Sequence, residues 1–246
     1  LQGQRGAAGK QKIPTHAQQK QRHQKLVQVH ARQRHHDAGQ IEHHTDAHVS
    51  VGRVLRQKAV RWFFASTFFH VLSHIGIYVF FSLYLDSLGY SKTMIGVLWA
   101  LSVAVEVVWF FTQSRWLPRV PLTGWLVACS AVMLLRMGMT AAWADVLWIL
   151  LLAQTLHAIT FATHHTVCIA MISHHFPGRL RGRGQALYTV VAYGFPGVIG
   201  ALLGGLLSER WGLQSVFVAS IATSAVATAA AWKVWRLQHP KPQVPG

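Results

Sequence analysis

Apolar residues do not alternate with polar ones along most of this chain; they run. From Arg61 onward, stretches at about 61–85, 93–112, 121–140, 146–171, 184–207 and 213–235 are nearly free of charge and are joined by short connectors. Each holds about twenty residues, the length that a helix rising about 1.5 Å per residue needs to cross a hydrocarbon core. An open sheet in lipid would leave backbone groups unpaired, so the expected fold class is all-α, a polytopic membrane protein of six transmembrane helices. The pattern before them is different. Residues 1–48 are dense in Gln, His, Lys and Arg and poor in aromatic and branched residues. Too little apolar surface is available there to offset chain ordering, which predicts a disordered arm. The expected organisation is therefore a basic arm at 1–50, a helical membrane unit at 51–236 and a cytoplasmic tail at 237–246.

Composition supports this reading: 52% hydrophobic and 12% charged residues, with ten Trp and twelve Phe, exclude an ordinary soluble domain. The net charge of +16 has two sources, since residues 1–60 carry eleven Lys/Arg against three acids and the rest carry twelve against four. A pI near 11.0 alone would suggest nucleic acid as a partner, but no recognised nucleic-acid-binding fold surrounds the charges, and none is expected to bind. A lipid bilayer is the expected partner, with the basic arm close to anionic headgroups. The arm also holds His35-His36, His43-His44 and His48. Without carboxylate or thiol partners these do not make a metal site, and no metal is expected. Cys129 and Cys168 lie in apolar runs, which excludes a disulfide framework and a cysteine zinc site. Cys168 stands four residues after His164, but a thiol in an apolar helix lacks the electropositive setting that makes it reactive, so an enzyme is not expected.

Orientation follows from the connectors. Arg115 and Arg119 fall between the second and third stretches, Arg179, Arg181 and Arg183 between the fourth and fifth, and Lys233, Arg236 and Lys241 near or after the end of the sixth. The alternate connectors hold only Lys92 and Arg210. The excess of positive charge on one side predicts that both termini are cytoplasmic in a cell inner (plasma) membrane protein. Trp62, Trp116, Trp143, Trp211 and Trp235 fall near the predicted ends, where indole rings favour the interface.

Polar groups inside the spans point to a function beyond anchoring. Glu106 lies mid-span, where a carboxylate costs about 2.5–3.5 kcal/mol on insertion scales. The third span contains Arg136, which either faces inward or snorkels to the headgroups. Gln154, His157 and His164 share one helical face of the fourth span. His70, His74, Tyr78 and Phe81 form a similar stripe on the first, which also contains Tyr84. A bundle turns such lines toward a cavity or pathway, because lipid offers them no partners. His165, His174 and His175 lie off these lines and are expected to be interface or packing residues. The fifth span carries Gly194, Gly197, Gly200, Gly204 and Gly205 around Pro196, which predicts a tightly packed, hinged helix. The Ala-rich sixth is expected to be structural support.

The stretch SHIGIYVFFSLYLDSLGYSKTMIGVLWALSVAVEVVWFF, with His74, Tyr78, Tyr84, Trp99 and Glu106, continues through Arg136 to QTLHAITFATHH, with His157, Phe161 and His164. Together, from about Val51 to Arg236, these resemble the C-terminal half of a major facilitator superfamily transporter, in the phenylpropionate permease-like branch near the lactose-type and nucleoside proton symporters. The resemblance implies secondary transport of a small solute, aromatic or carboxylated, held between two pseudo-symmetric six-helix halves and driven by the proton gradient without a cofactor. It implies a coupling set of Glu106, Arg136 and His157 or His164, with His74, Tyr78, Phe81, Trp99, Gln154 and Phe161 along the solute and proton pathway and Arg136 pairing with a solute carboxylate. Two features depart from the pattern. The fourth span has no acid near its histidines, and residues 1–48 match none of the N-terminal half's helices. With a start at Leu1 and no signal peptide, the expectation is a truncated or frame-shifted product whose partner is an N-terminal half. The alternative is an inactive fragment, or a non-transporting subunit that needs that half.

Overall fold

The computed structural model describes residues 50–239. The arm with its histidine pairs and most of the C-terminal tail lie outside the described residues. Among these residues six helices are long and apolar enough to cross a membrane: Lys58–Ser87, Lys92–Arg119, Leu122–Ala142, Leu147–His175, Gly178–Trp211 and Gln214–Gln238, hereafter spans one to six. No strand occurs among the described residues. Each helix runs a few residues past its apolar stretch at one or both ends. Hydrophobicity marks hydrocarbon depth, whereas backbone hydrogen bonding continues through the headgroup level into segments carrying Lys58, Arg115 or His174.

Helix boundaries have local causes. Ser50 caps a short helix, Val51–Arg56, by accepting a hydrogen bond from the Arg53 amide at 3.3 Å. Ser91 caps span two by accepting from the Met94 amide at 3.2 Å. Gly212, with φ of 80°, closes span five in a conformation that side-chain-bearing residues rarely adopt.

Spans one, three and six form the packed centre. Between spans one and six the seam is built of small hydroxyl residues, which bring the backbones close and bond across them. Ser66 donates to the Ala227 carbonyl at 3.0 Å, Ser224 donates to the Ser73 hydroxyl at 3.2 Å, and Ser73 and Thr223 share a bond of 2.7 Å. A Cβ on Gly76 would come within 2.7 Å of the Ser220 hydroxyl oxygen. The supporting role expected of span six fits this geometry. At its start the Gln214 amide nitrogen donates to the Ala141 carbonyl at 2.7 Å, tying it to span three.

Span five is less enclosed than its glycines suggested. Only 17% of its most apolar window is buried, against 56% for span one. Gly200 is a contact glycine, where a Cβ would meet Ile75 at 2.8 Å, and Gly204 abuts Phe80; Gly197 and Gly205 face open space. The glycines serve close packing along one edge only. Pro196 follows a widened, π-type turn at Val190–Gly194. Similar turns interrupt span one at Gly76–Phe80 and span four at Ala158–Thr163. Such turns recur at functional sites because they re-aim side chains and loosen the backbone ladder. Here they carry Tyr193, Tyr78 and Phe161.

Candidate functional site

Arg136 is fully buried, so it does not snorkel. Span three delivers its guanidinium to span four, which supplies the acceptors. Nη2 donates to Gln154 Oε1 at 2.7 Å, and Nη1 donates to Thr160 Oγ1 at 3.0 Å and to His157 Nδ1 at 3.2 Å. A guanidinium only donates, so Nδ1 of His157 must hold a lone pair and the neutral ring carries its hydrogen on Nε2. That Nε2 is 3.3 Å from Glu106 Oε2 on span two. The three residues therefore form a directed line in which Arg136 donates to His157 and His157 donates to Glu106. Arg136 Nε and Gln154 Nε2 are buried without partners among the described residues. The cluster has surplus donors and no carboxylate directly on its guanidinium.

Aromatic rings continue the site toward the exposed side of spans one, two and four. Phe161 stacks on His157 with centroids 5.2 Å apart and meets Tyr78 edge-on at 6.1 Å. Tyr78 lies parallel to Trp99 at 6.2 Å, and the Trp99 indole donates to the Ser82 hydroxyl at 2.9 Å. Tyr78 is exposed, and Trp99 and Phe161 are half-buried. His74 is enclosed behind them, 4.8 Å from the Tyr78 ring and 5.4 Å from His157. Eight of the residues expected along the pathway, Glu106, Arg136, His157, Gln154, His74, Tyr78, Trp99 and Phe161, thus meet in one neighbourhood.

His164 goes elsewhere. It stacks on His70 with ring centroids 3.6 Å apart and planes 7° from parallel, and its ring nitrogens lie 3.6 and 3.8 Å from Cys168 Sγ. His70 Nε2 donates to the Thr160 carbonyl at 2.7 Å, while the Ser130 hydroxyl donates to Nδ1 at 3.5 Å. Phe81, expected on the stripe and along the pathway, is instead a core residue whose ring meets Trp99, and Tyr84 in the same span turns to span six and stacks on Phe217 at 5.0 Å. His165 is half-buried and packs against span five as expected, within 3.0 Å of the Tyr193 hydroxyl and 3.4 Å of the Tyr188 hydroxyl. The sequence reading passed over Tyr188, Tyr193 and Thr160. Thr160 stands three residues after His157 on the same face, but helical threonines commonly bond their own backbone. This one does so, donating to the Leu156 carbonyl at 3.2 Å, while still accepting from Arg136.

Comparison with known proteins adds three findings. The sequence model of the MFS_1 like family matches residues 11–219, beginning before the membrane spans. The probable 3-phenylpropionic acid transporter of Escherichia coli (strain K12) is 29% identical over 140 residues, which cover 57% of this chain and 36% of that protein. The match therefore takes in only about a third of that relative's length. No solved structure matches this chain.

Proposed function

The chain belongs to the MFS_1 like family, within the major facilitator superfamily, and from that premise we propose that it carries a small aromatic carboxylate across a plasma membrane by proton-coupled symport. Both termini are cytoplasmic in this proposal, and the open side of spans one, two and four faces a second six-helix half, so that solute is held between the two. One observation carries the reading: the line from Arg136 through His157 to Glu106 runs beside the exposed ring of Tyr78 and the half-buried rings of Trp99 and Phe161. The relative's name supports the solute class.

The donor surplus at Arg136 and Gln154 favours a solute with a carboxylate, which would bring the acceptors that the cluster lacks. The flat, half-exposed rings favour an aromatic or strongly apolar body on that solute. Coupling follows from the tautomer of His157. While Arg136 occupies Nδ1, the imidazole keeps its hydrogen on Nε2 and accepts no proton from Glu106. A solute carboxylate that draws Arg136 away frees the Nδ1 lone pair to take up an external proton, and the imidazolium so formed passes its Nε2 proton to the Glu106 carboxylate, returning to a neutral ring that carries its hydrogen on Nδ1. Solute binding and proton movement are linked through one ring.

The experiment is Glu106→Gln, with uptake of radiolabelled 3-phenylpropionate measured in cells producing the chain alone and together with an N-terminal six-span half. Accumulation against a gradient should disappear while exchange of internal for external solute persists. Unimpaired accumulation in the variant would count against proton coupling at Glu106. The absence of uptake from wild-type protein that is inserted in the membrane, in either setting, would count against transport itself.

A further inference from the structure

At the opposite end of the bundle from Tyr84 and Asp145, the start of span three opens on a pocket of about 300 Å³ formed with the last turns of spans four and six. Span three begins there without a side-chain cap. Pro121 occupies the capping position, and the first intrahelical bond runs from the Trp125 amide to the Pro121 carbonyl at 3.0 Å. The amides of Leu122, Thr123 and Gly124 precede that bond and have no intrahelical partner, which makes this terminus a source of donors with the positive end of the helix dipole behind them. A second, independent feature lies in the same place. Thr123 is 3% exposed, lines the pocket, and its hydroxyl has no partner among the described residues. Buried hydroxyls are normally satisfied, so one left bare beside amides with no intrahelical partner gives this terminus donor capacity that the described residues do not use.

The surroundings specify its charge. His174, His175 and His239 line the pocket and no acid does. The Gln238 amide is 3.5 Å from His175 Nε2, and His239 is fixed through Nδ1, which donates to the Trp235 carbonyl at 3.0 Å. The nearby helix ends and connectors carry Arg115, Arg119, Lys233 and Arg236. The acids of the described residues, Asp86, Glu106, Asp145 and Glu209, all belong to mid-span or to the other end. We propose that this pocket binds a phosphate group, with the span-three amides and the Thr123 hydroxyl donating to its oxygens and the histidines closing around it. Its position at the ends of three spans, at headgroup level, assigns that phosphate to an anionic phospholipid.

The test uses the full chain purified in dodecyl maltoside, with native mass spectrometry counting bound lipid and thermal unfolding read in parallel. Phosphatidylglycerol, a diacylglycerol with the same acyl chains, and inorganic phosphate are added separately. The expected result is one phosphatidylglycerol retained through detergent exchange, with a raised unfolding midpoint, and no retention of diacylglycerol. Thr123→Val should weaken retention at least tenfold without lowering the lipid-free midpoint, because the hydroxyl has no bond to lose, and Thr123→Ser should restore it. His175→Gln should weaken retention independently of Thr123. A saturable midpoint rise with inorganic phosphate alone that Thr123→Val removes would keep the phosphate site and overturn its assignment to lipid. Equal retention by wild type and Thr123→Val, or equal retention of diacylglycerol, would overturn the site altogether.

Discussion

Two buried histidine clusters lie one to two helical turns apart along span four, and they differ in what they leave unfinished. In the first, His157 stands between a guanidinium and a carboxylate, next to exposed and half-buried rings, with bare donors at Arg136 and Gln154. In the second, His70 has both ring nitrogens partnered, His164 lies flat against it, and Cys168 fills the next turn. Both are built around buried imidazoles. What separates a candidate working site from a structural one is the presence of charge, of unsatisfied donors and of an exposed edge. A closed set of hydrogen bonds holds helices together; an open one has capacity for a passenger.

That contrast can be broken at either cluster. The largest effect is expected from His157→Phe, which keeps the ring stack on Phe161 but removes the link between Arg136 and Glu106. Proton-driven uptake of 3-phenylpropionate should fall about 100-fold or more, as for loss of a general acid–base group. Arg136→Gln comes next: loss of a charge-assisted contact to the solute carboxylate should weaken binding roughly 10- to 100-fold, measured by equilibrium exchange. His70→Phe should act on the other side of the comparison. It strands the Thr160 carbonyl and the Ser130 hydroxyl and should lower stability by about 1–2 kcal/mol in a thermal or denaturant titration, with solute affinity unchanged. Tyr78→Phe should be smallest. Its exposed ring keeps the stack on Trp99, and the hydroxyl contributes within about 0.5 kcal/mol to stability. Affinity loss in His70→Phe as large as in Arg136→Gln would erase the distinction between the clusters.

Much of this was legible in the sequence, for stated reasons. Span number and approximate extent follow from apolar length, because lipid forces each backbone group to find its partner within the helix. The gathering of Glu106, Arg136, His157 and Gln154 follows from the cost of polar groups in hydrocarbon. Helical periodicity did not separate His157 from His164. They are seven residues apart and share a face on a regular helix, yet the widened turn at Ala158–Thr163 lies between them and His70 on span one captures the second ring. Helical spacing put Phe81 on the pathway stripe, but the packing around span one encloses it in the core. Glycine content alone overstated the enclosure of span five, because a glycine packs tightly only where another helix approaches, as at Gly200 and Gly204. The bare hydroxyl of Thr123 had no sequence signal at all, since whether a polar group is satisfied depends on every neighbour it meets.

The most direct measurement of the proposed proton coupling at His157 and Glu106 is the pH of a lightly buffered suspension of de-energised cells producing the chain together with an N-terminal six-span half when 3-phenylpropionate is added. Alkalinisation of the medium by the wild type, absent in Glu106→Gln although solute still equilibrates across the membrane, is the expected result. Equal alkalinisation by the variant, or wild-type solute entry with no pH change, would contradict proton symport through this site.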